Sequence, residues 1–289
     1  MRNRAIIVVI LLVVFLGAIF VFNNAVFSDR KLHLVFCDVG QGDGIFIRTP
    51  KNQDILIDGG PDSKILDCLK SHTPFWDKKL ELVVLTHPHA DHLNGLIHVL
   101  KNYKVESFAT VELQNETSGF KRLLETLKEQ NIDVRYLYVG DAFRFGDRVR
   151  LQILGPSREF IGRTSPGGFI GEKNEFANIE TLIVFNNFSA FLTGDSQASQ
   201  LKEAIPAFNL ANISVLQVPH HGSKTGLDEE IVTRLSPKLA VISVGKNRYG
   251  HPSPSIIRIL RDRDIKILRT DKDGNIEIVS DGKEWFVQR

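Results

Sequence analysis

The chain has 289 residues, 43% of them hydrophobic, enough to bury a substantial core in one large domain or two small ones. A formal net charge of +2 makes no overall electrostatic case for a nucleic-acid partner, and two cysteines, Cys37 and Cys68, give neither a disulfide framework nor metal-type spacing. Cys37 lies in the apolar run LHLVFCDVG and reads as a buried thiol rather than half of a bridge.

After Met1, Arg2, Asn3 and Arg4 comes an uncharged apolar run, residues 5–22. At ~1.5 Å per residue it spans ~27 Å, enough to cross a membrane. The run exceeds the usual apolar core of a cleaved signal peptide, and the following NNAVFSD offers a poor cleavage site. Residues 1–29 therefore read as a signal anchor and residues 30–289 as the domain it carries, secreted if the anchor is cleaved. Arg2 and Arg4 keep the N-terminus cytoplasmic by the positive-inside rule and place the domain outside; Arg30 and Lys31 on the far flank weaken that orientation without reversing it.

Short β-branched runs then alternate with helical patterns. Strands are expected at 31–38, 44–49, 54–58, 80–85, 105–110, 134–139, 148–154, 181–185, 189–193, 213–218, 239–244, 265–269, 274–280 and 284–288. Helices are expected at 63–71, 92–102, 119–131, 196–204, 228–235 and 254–262. The order suggests an α/β architecture of two sheets covered by helices on their outer faces. Residues 155–178 are rich in Gly, Ser and Pro, have no sustained period, and read as a long functional loop.

The chemistry gathers where apolar strands end. ELVVL runs into LTHPHADHLNG, which holds His87, His89, Asp91 and His92. An i, i+2 pair of imidazoles on an extended loop closes on one cation, and Asp91 with His92 face a second. Neutral imidazole and carboxylate suit zinc, manganese or iron better than calcium or magnesium. A strand ending in SAFLTGDS presents Asp195, whose two oxygens suit a bridge between cations, and ISVLQVPHHG ends in His220 and His221. His33, His72 and His98 read as surface residues.

Two further stretches suit a phosphate-bearing substrate. DVGQGD sets Asp38, Gln41 and Asp43 around Gly40 and Gly42, a tight turn that lets backbone approach a ligand. GKNRYGHPSPS supplies Lys246, Arg248 and His251 before a helix N-terminus, where anions are favoured. Residues 231–272 carry ten Lys/Arg against three Asp, a locally basic stretch.

HxHxDH, a later TGD and a strand ending in PHHG resemble the metallo-β-lactamase superfamily. More narrowly, DVGQGDGIFIRTP, ILIDGG, LTHPHADHLNGL, FLTGD, VPHHGSKT, VISVG and HPSP together look like the hydrolase domain of ComEC-type DNA-uptake proteins, over roughly residues 31–280. The resemblance implies a four-layer αββα sandwich with a one- or two-metal site at one edge. It assigns His87 and His89 to one metal, Asp91, His92 and His221 to the other, and Asp195 to both. Asp58 would orient the ligand loop by hydrogen bonding. The third-motif histidine expected between HxHxDH and Asp195 is missing, which leaves the first site weaker and manganese as suitable as zinc. Asn178 stands near that gap and would orient a bound anion.

The implied reaction is hydrolysis of phosphodiester bonds, with DNA outside the cytoplasm as the expected substrate, by a metal-activated water. Asp91 would accept a hydrogen bond from that water, and His220 or His251 would protonate the leaving oxygen. Asp38, Gln41, Asp43, Ser223, Lys224 and Arg248 are candidates to touch substrate or ligands. Relatives carry this domain beside a multi-helix channel; one apolar segment makes this chain a candidate to assist a channel encoded separately, or to scavenge extracellular nucleic acid independently. Rivals are a phosphorylcholine esterase or lactonase on the same fold, without choline-binding repeats to favour the first, an envelope module that binds DNA without cutting it, and a structural metalloprotein.

Overall fold

A computed structural model describes residues 2–146, 148–170 and 177–288, with only the backbone given for residues 2, 3, 5 and 20–26. The first half runs α1 (Arg2–Phe27), β1 (Leu32–Phe36), β2 (Ile45–Arg48), β3 (Asp54–Ile57), α2 (Ile65–His72), β4 (Lys79–Leu80), β5 (Leu82–Leu85), α3 (Ala90–Asn102), β6 (Lys104–Val105), β7 (Phe108–Thr110), α4 (Ser118–Glu129) and β8 (Val134–Tyr136). The second runs β9 (Ala142–Phe145), β10 (Val149–Gly155), α5 (Arg158–Thr164), β11 (Glu180–Phe185), β12 (Phe188–Leu192), α6 (Ala198–Ala207), β13 (Val215–Gln217), a 3₁₀ turn (Pro219–Gly222), α7 (Glu229–Leu235), β14 (Leu239–Ile242), α8 (Pro254–Arg261), β15 (Lys266–Arg269), α9 (Thr270–Asp273), β16 (Ile276–Ser280) and β17 (Trp285–Gln288).

The described strands form one sheet in the order β17-β16-β1-β2-β3-β5-β7-β8 and another in the order β15-β14-β13-β12-β11-β10-β9, with β4 and β6 paired apart. Leu34, Ile47, Ile55 and Val84 of the first sheet meet Leu151, Ile183, Ala190 and Val241 of the second in a core between the sheets. The opposite face of the first sheet packs Phe46, Leu56 and Val83 against Leu69, Leu96 and Leu123 of α2, α3 and α4. That of the second packs Phe191, Leu216 and Ala240 against Leu201, Val232 and Leu260 of α6, α7 and α8. Four layers result, helix on sheet on sheet on helix. Strands covered on both faces are apolar on both: β2, β3 and β5 are buried throughout, with only Arg48 and Asp54 charged, and these pair with each other. β3, β5, β7 and β8 run parallel, as do β12, β13, β14 and β15. Their C-terminal ends bring successive loops to one rim.

Several expectations change. Cys37 and Cys68 form a disulfide with Cα atoms 5.8 Å apart, joining the end of β1 to the buried face of α2, rather than holding free thiols. The sequence hides this because the pairing depends on how α2 docks. His33 and His72 are half-buried: Nδ1 of His33 meets Glu277 Oε1 at 2.7 Å, and Nε2 of His72 lies 4.0 Å from Glu277 Oε2. The loop at 155–178 contains α5, capped by Ser157 Oγ accepting from Phe160 N and anchored by buried Phe160; residues 171–176 of that loop lie outside the described residues. β9 has no counterpart among the expected strands. In α1, Ile6 through Leu16 are all more than half exposed. Among the described residues no helix is long and apolar enough to cross a membrane, and residues 5 and 20–22 of the apolar run lie outside those with described side chains.

Candidate metal centre

Each ligand-type residue follows the C-terminal end of a strand at the common rim: His87 to His92 after β5, Asp195 after β12, His220 and His221 after β13. Two groups converge on Asp195. His87, His89 and Asp195 form one; Asp91, His92 and His221 form the other, with Asp195 also against His221. Oδ1 of Asp195 lies 3.4 Å from His92 Nε2 and 3.5 Å from His221 Nε2, which is itself 3.5 Å from Asp91 Oδ2. Oδ2 of Asp195 turns the other way, 3.8 Å from His87 Nε2 and 3.6 Å from His220 Nε2. Four atoms each ~2.1 Å from one zinc-sized ion at tetrahedral angles lie ~3.4 Å apart. The second group has that spacing.

The imidazoles are held in the orientation that binding requires. His92 Nδ1 donates to Asp58 Oδ2 at 2.8 Å and His221 Nδ1 to Ser243 O at 2.9 Å, so each turns its Nε2 inward, where loss of a proton frees a lone pair for a cation. Nε2 of both rings and Oδ1 of Asp195 are buried with no hydrogen-bond partner. Buried polar atoms are rarely left so, and a divalent cation among them would satisfy all three. In the first group, Thr86 Oγ1 donates to Asp58 Oδ2 and sits 3.1 Å from His87 Nδ1, while His87 Nε2 faces His89 Nδ1 at 3.0 Å. Asp58 also accepts from Thr86 N, so one carboxylate fixes the start of the loop and His92 together.

Charge in the cluster is balanced by protons in the metal-free state. Burial disfavours the imidazolium of His92, but Asp195, Asp58 and Asp91 outweigh it and hold its pKa well above the ordinary value. Burial likewise opposes His221, yet Asp195 and Asp91 push it up to about 9. Against its own burial, Asp195 is held well below the carboxylate range by His221 and His92. His87 is the reverse case: burial, then His92 and His89, hold it well below the ordinary value. Burial pushes Asp43 up to about 6 despite His221 and His92 nearby.

The other predicted residues divide. His251 comes to the rim, its ring 5.6 Å from that of His220. Asp43 lies beneath the second group, 3.7 Å from His221 Nδ1 and accepting from Gln217 Nε2. The glycines of DVGQGD approach backbone rather than an anion: a Cβ on Gly42 would stand 2.1 Å from Asp91 O, and Gln41 Oε1 accepts from Gly245 N. Asp38 is exposed and accepts from Gly40 N. Asn178 does not face an anion site. Its amide donates to Thr193 O and Ser196 Oγ and accepts from Asp195 N, so it shapes the Asp195 turn from below. Ser223 Oγ pairs with Thr225 Oγ1, and Lys224 and Arg248 are exposed at the rim loops.

Sequence reasoning passed over Thr86, Gln197 and Gln217. Gln217 Oε1 accepts from Thr193 N and Gly194 N, and Gln197 Nε2 donates to His220 Nδ1 at 2.7 Å. The available signal was their place: Thr86 and Gln217 are polar residues directly after or at the end of strands whose other positions are apolar, and Gln197 precedes the first residue of α6 just after the Asp195 turn.

A four-layer fold with two His/Asp clusters sharing one carboxylate at its rim defines a protein built to hold divalent cations. Residues 53–219 match the Beta-lactamase superfamily domain, and the chain belongs to that superfamily. It is 30% identical to ComE operon protein 3 of Bacillus subtilis over 268 residues, 86% of this chain and 33% of that protein. Recombination protein 2 of Haemophilus influenzae is 26% identical over 200 residues, 69% of this chain and 22% of that one. The chain thus spans about a third or less of these relatives' length. The structure of the metallo-beta-lactamase fold protein YhfI from Bacillus subtilis superposes with a TM-score of 0.55 at 12% identity, covering 85% of this chain and 99% of that one, a likeness of fold.

Proposed function

We propose that the chain is a metal-dependent phosphodiesterase acting on DNA outside the cytoplasm. The observation that carries it is the pair of clusters on the two oxygens of Asp195, buried on the His92 side and open where half-buried His89, His220 and His251 meet solvent. An open dinuclear site suits hydrolysis, whereas a structural site is closed by protein ligands. Similarity to ComE operon protein 3 and the ComEC-type motifs favour nucleic acid over a lactam or choline ester.

His87, His89 and Asp195 would hold one cation and Asp91, His92, His221 and Asp195 the other. Divalent cations there would supply Lewis-acid chemistry, lowering the pKa of water and neutralising charge on a phosphoryl group. Asp91, half-buried at the rim, accepts a hydrogen bond from the attacking water. His220 would donate to the leaving oxygen: Gln197 occupies its Nδ1 as donor, which leaves the proton on Nε2, 3.6 Å from Asp195 Oδ2. His251, beside His220, is held neutral by burial and by the neighbouring histidines, and orients the leaving group. Lys224 and Arg248 attract the strand's phosphates.

Residues 1–29 anchor this domain to the membrane, as the apolar, exposed surface of Ile6 to Leu16 favours. The Cys37–Cys68 disulfide favours an oxidising compartment for residues 30–289. A DNA-uptake channel is the fitting partner.

The test is purified chain loaded with zinc or manganese and offered single- and double-stranded DNA, RNA, a small aryl phosphodiester, a β-lactam, a lactone and a phosphorylcholine ester. DNA and diester cleavage that EDTA stops and Asp195→Asn lowers by about 10² or more is the expected result. Lactam, lactone or choline-ester turnover without diester cleavage overturns the reading. A reporter fused after Arg289 that works only in the cytoplasm overturns the location.

A further inference from the structure

The rim continues past the metal loop. β5, β7 and β8 are adjacent and parallel, with Val83 to Leu85 paired to Phe108 to Thr110 and these to Val134 to Tyr136. His87 lies two residues beyond Leu85, Glu112 two beyond Thr110, and Tyr138 two beyond Tyr136. Two strand spacings of about 4.8 Å therefore put Tyr138 on the order of 10 Å from the metal loop along the same edge. Asn115 Nδ2 donates to Pro88 O at 2.7 Å and ties the two places together.

A cavity of about 380 Å³ opens there, lined among others by Glu112, Gln114, Tyr136, Tyr138, Arg158 and Phe169. Its volume falls at the low end of small-ligand sites. Gln114 holds one wall: its N donates to Gly168 O and its O accepts from Ile170 N, which presents Phe169 at the mouth. Phe169 and Tyr136 are 45% and 44% exposed, a high value for large aromatic rings with no described partner to cover them. The Arg158 guanidinium carbon lies over the Tyr138 ring, 3.6 Å from its centroid, with a guanidinium nitrogen 3.6 Å from Glu112 Oε2. The Tyr138 hydroxyl donates to the same Glu112 oxygen.

These groups discriminate among ligands. A free anion gains little, because Glu112 offsets Arg158. A purely apolar ligand leaves that charged pair without purpose. A flat heteroaromatic ring with N–H groups on its edge suits all of it: ring faces stack on Tyr136, Phe169 or the guanidinium plane, and the edge donates to Glu112. We propose that this cavity takes an unpaired nucleobase of the strand whose phosphodiester lies at the metal centre, a single-strand subsite that rests on the phosphodiesterase reading. Bases within a duplex are stacked and paired and do not reach it without being extruded.

The test uses the full chain in EDTA, so that nothing is cleaved, and the anisotropy of a fluorescein-labelled single-stranded DNA 12-mer. Tyr136→Ala/Phe169→Ala is expected to weaken binding about tenfold or more, while Phe169→Tyr leaves it within twofold. An abasic strand is expected to bind wild type as weakly as the normal strand binds the double variant. Failure of wild type to bind the strand, or equal affinity in wild type and double variant, overturns the cavity assignment. The two readings fail separately. Absence of diester cleavage by the metal-loaded chain removes the enzyme, and unchanged strand affinity in the variant, with cleavage intact, removes only the base subsite.

Discussion

Asp195 turns one oxygen toward each group of imidazoles, and the acid–base state around it is uneven. His87 is held below its ordinary pKa by burial and by His92 and His89, so it meets a cation already neutral. On the other side, burial is overcome and both His92 and His221 are raised, His221 to about 9, so near pH 7 each carries a proton where a cation would sit. Metal binds neutral imidazole, so filling that side must expel those protons. The sign follows: below about pH 9 protonated His221 competes with the metal, as does His92, also raised, and affinity rises with pH as these protons are lost. Titrating metal into the metal-free chain at pH 7, in buffers of different ionisation enthalpy, is expected to release about two protons. His92→Asn lowers that count by about one. A binding heat that does not depend on the buffer contradicts the assignment.

At the scale of elements, the rim is held by contacts between loops. Gly42 is there because a Cβ would stand 2.1 Å from Asp91 O, and Gly245 because one would stand 2.3 Å from Gly40 C. The disulfide belongs to the same region, since Cys37 ends the strand that leads into the Gly42 loop and Cys68 lies on α2. Closing a loop with a sequence separation of 31 removes unfolded-state freedom worth roughly 3–4 kcal/mol in the chain-entropy picture. Cys37→Ser/Cys68→Ser is expected to lower unfolding stability by up to that amount in a denaturant titration. A change under about 0.5 kcal/mol would mean that the bridge does not form in solution. The same scale shows what was legible in the sequence. An apolar run followed by a ligand-type residue is a local pattern, so β5 with His87, β12 with Asp195 and β13 with His221 could each be read. Cys37 with Cys68, Gln217 with the Asp195 turn, and Gly42 with Asp91 are meetings of distant segments that leave no local period. Asn178 misled because nearness in sequence to the gap in the ligand set did not reveal that its amide points into the Asp195 turn.

For the whole molecule, the two sheets meet at the metal centre. The first contributes His87, His89, Asp91 and His92 from the end of β5; the second contributes Asp195 and His221 from the ends of β12 and β13. Apolar packing between the sheets sets their approach, but at the rim that packing gives way to imidazoles and carboxylates. Without metal, the attraction there is between protonated His92 and His221 and anionic Asp195. A cation bound by both halves therefore joins sheet to sheet, and because the unfolded chain scatters these residues, binding adds to folding stability. At free metal about 100 times the dissociation constant the gain is about 2.7 kcal/mol, which for a domain of this size raises the melting temperature by about 5 °C. EDTA is expected to reverse the rise. Asp195→Asn is expected to abolish most of it, since both groups lose their shared carboxylate, whereas Asp67→Asn, on the exposed face of α2, leaves it intact. A melting temperature that ignores metal, with metal analysis showing the ions bound, would place them away from the seam between the sheets.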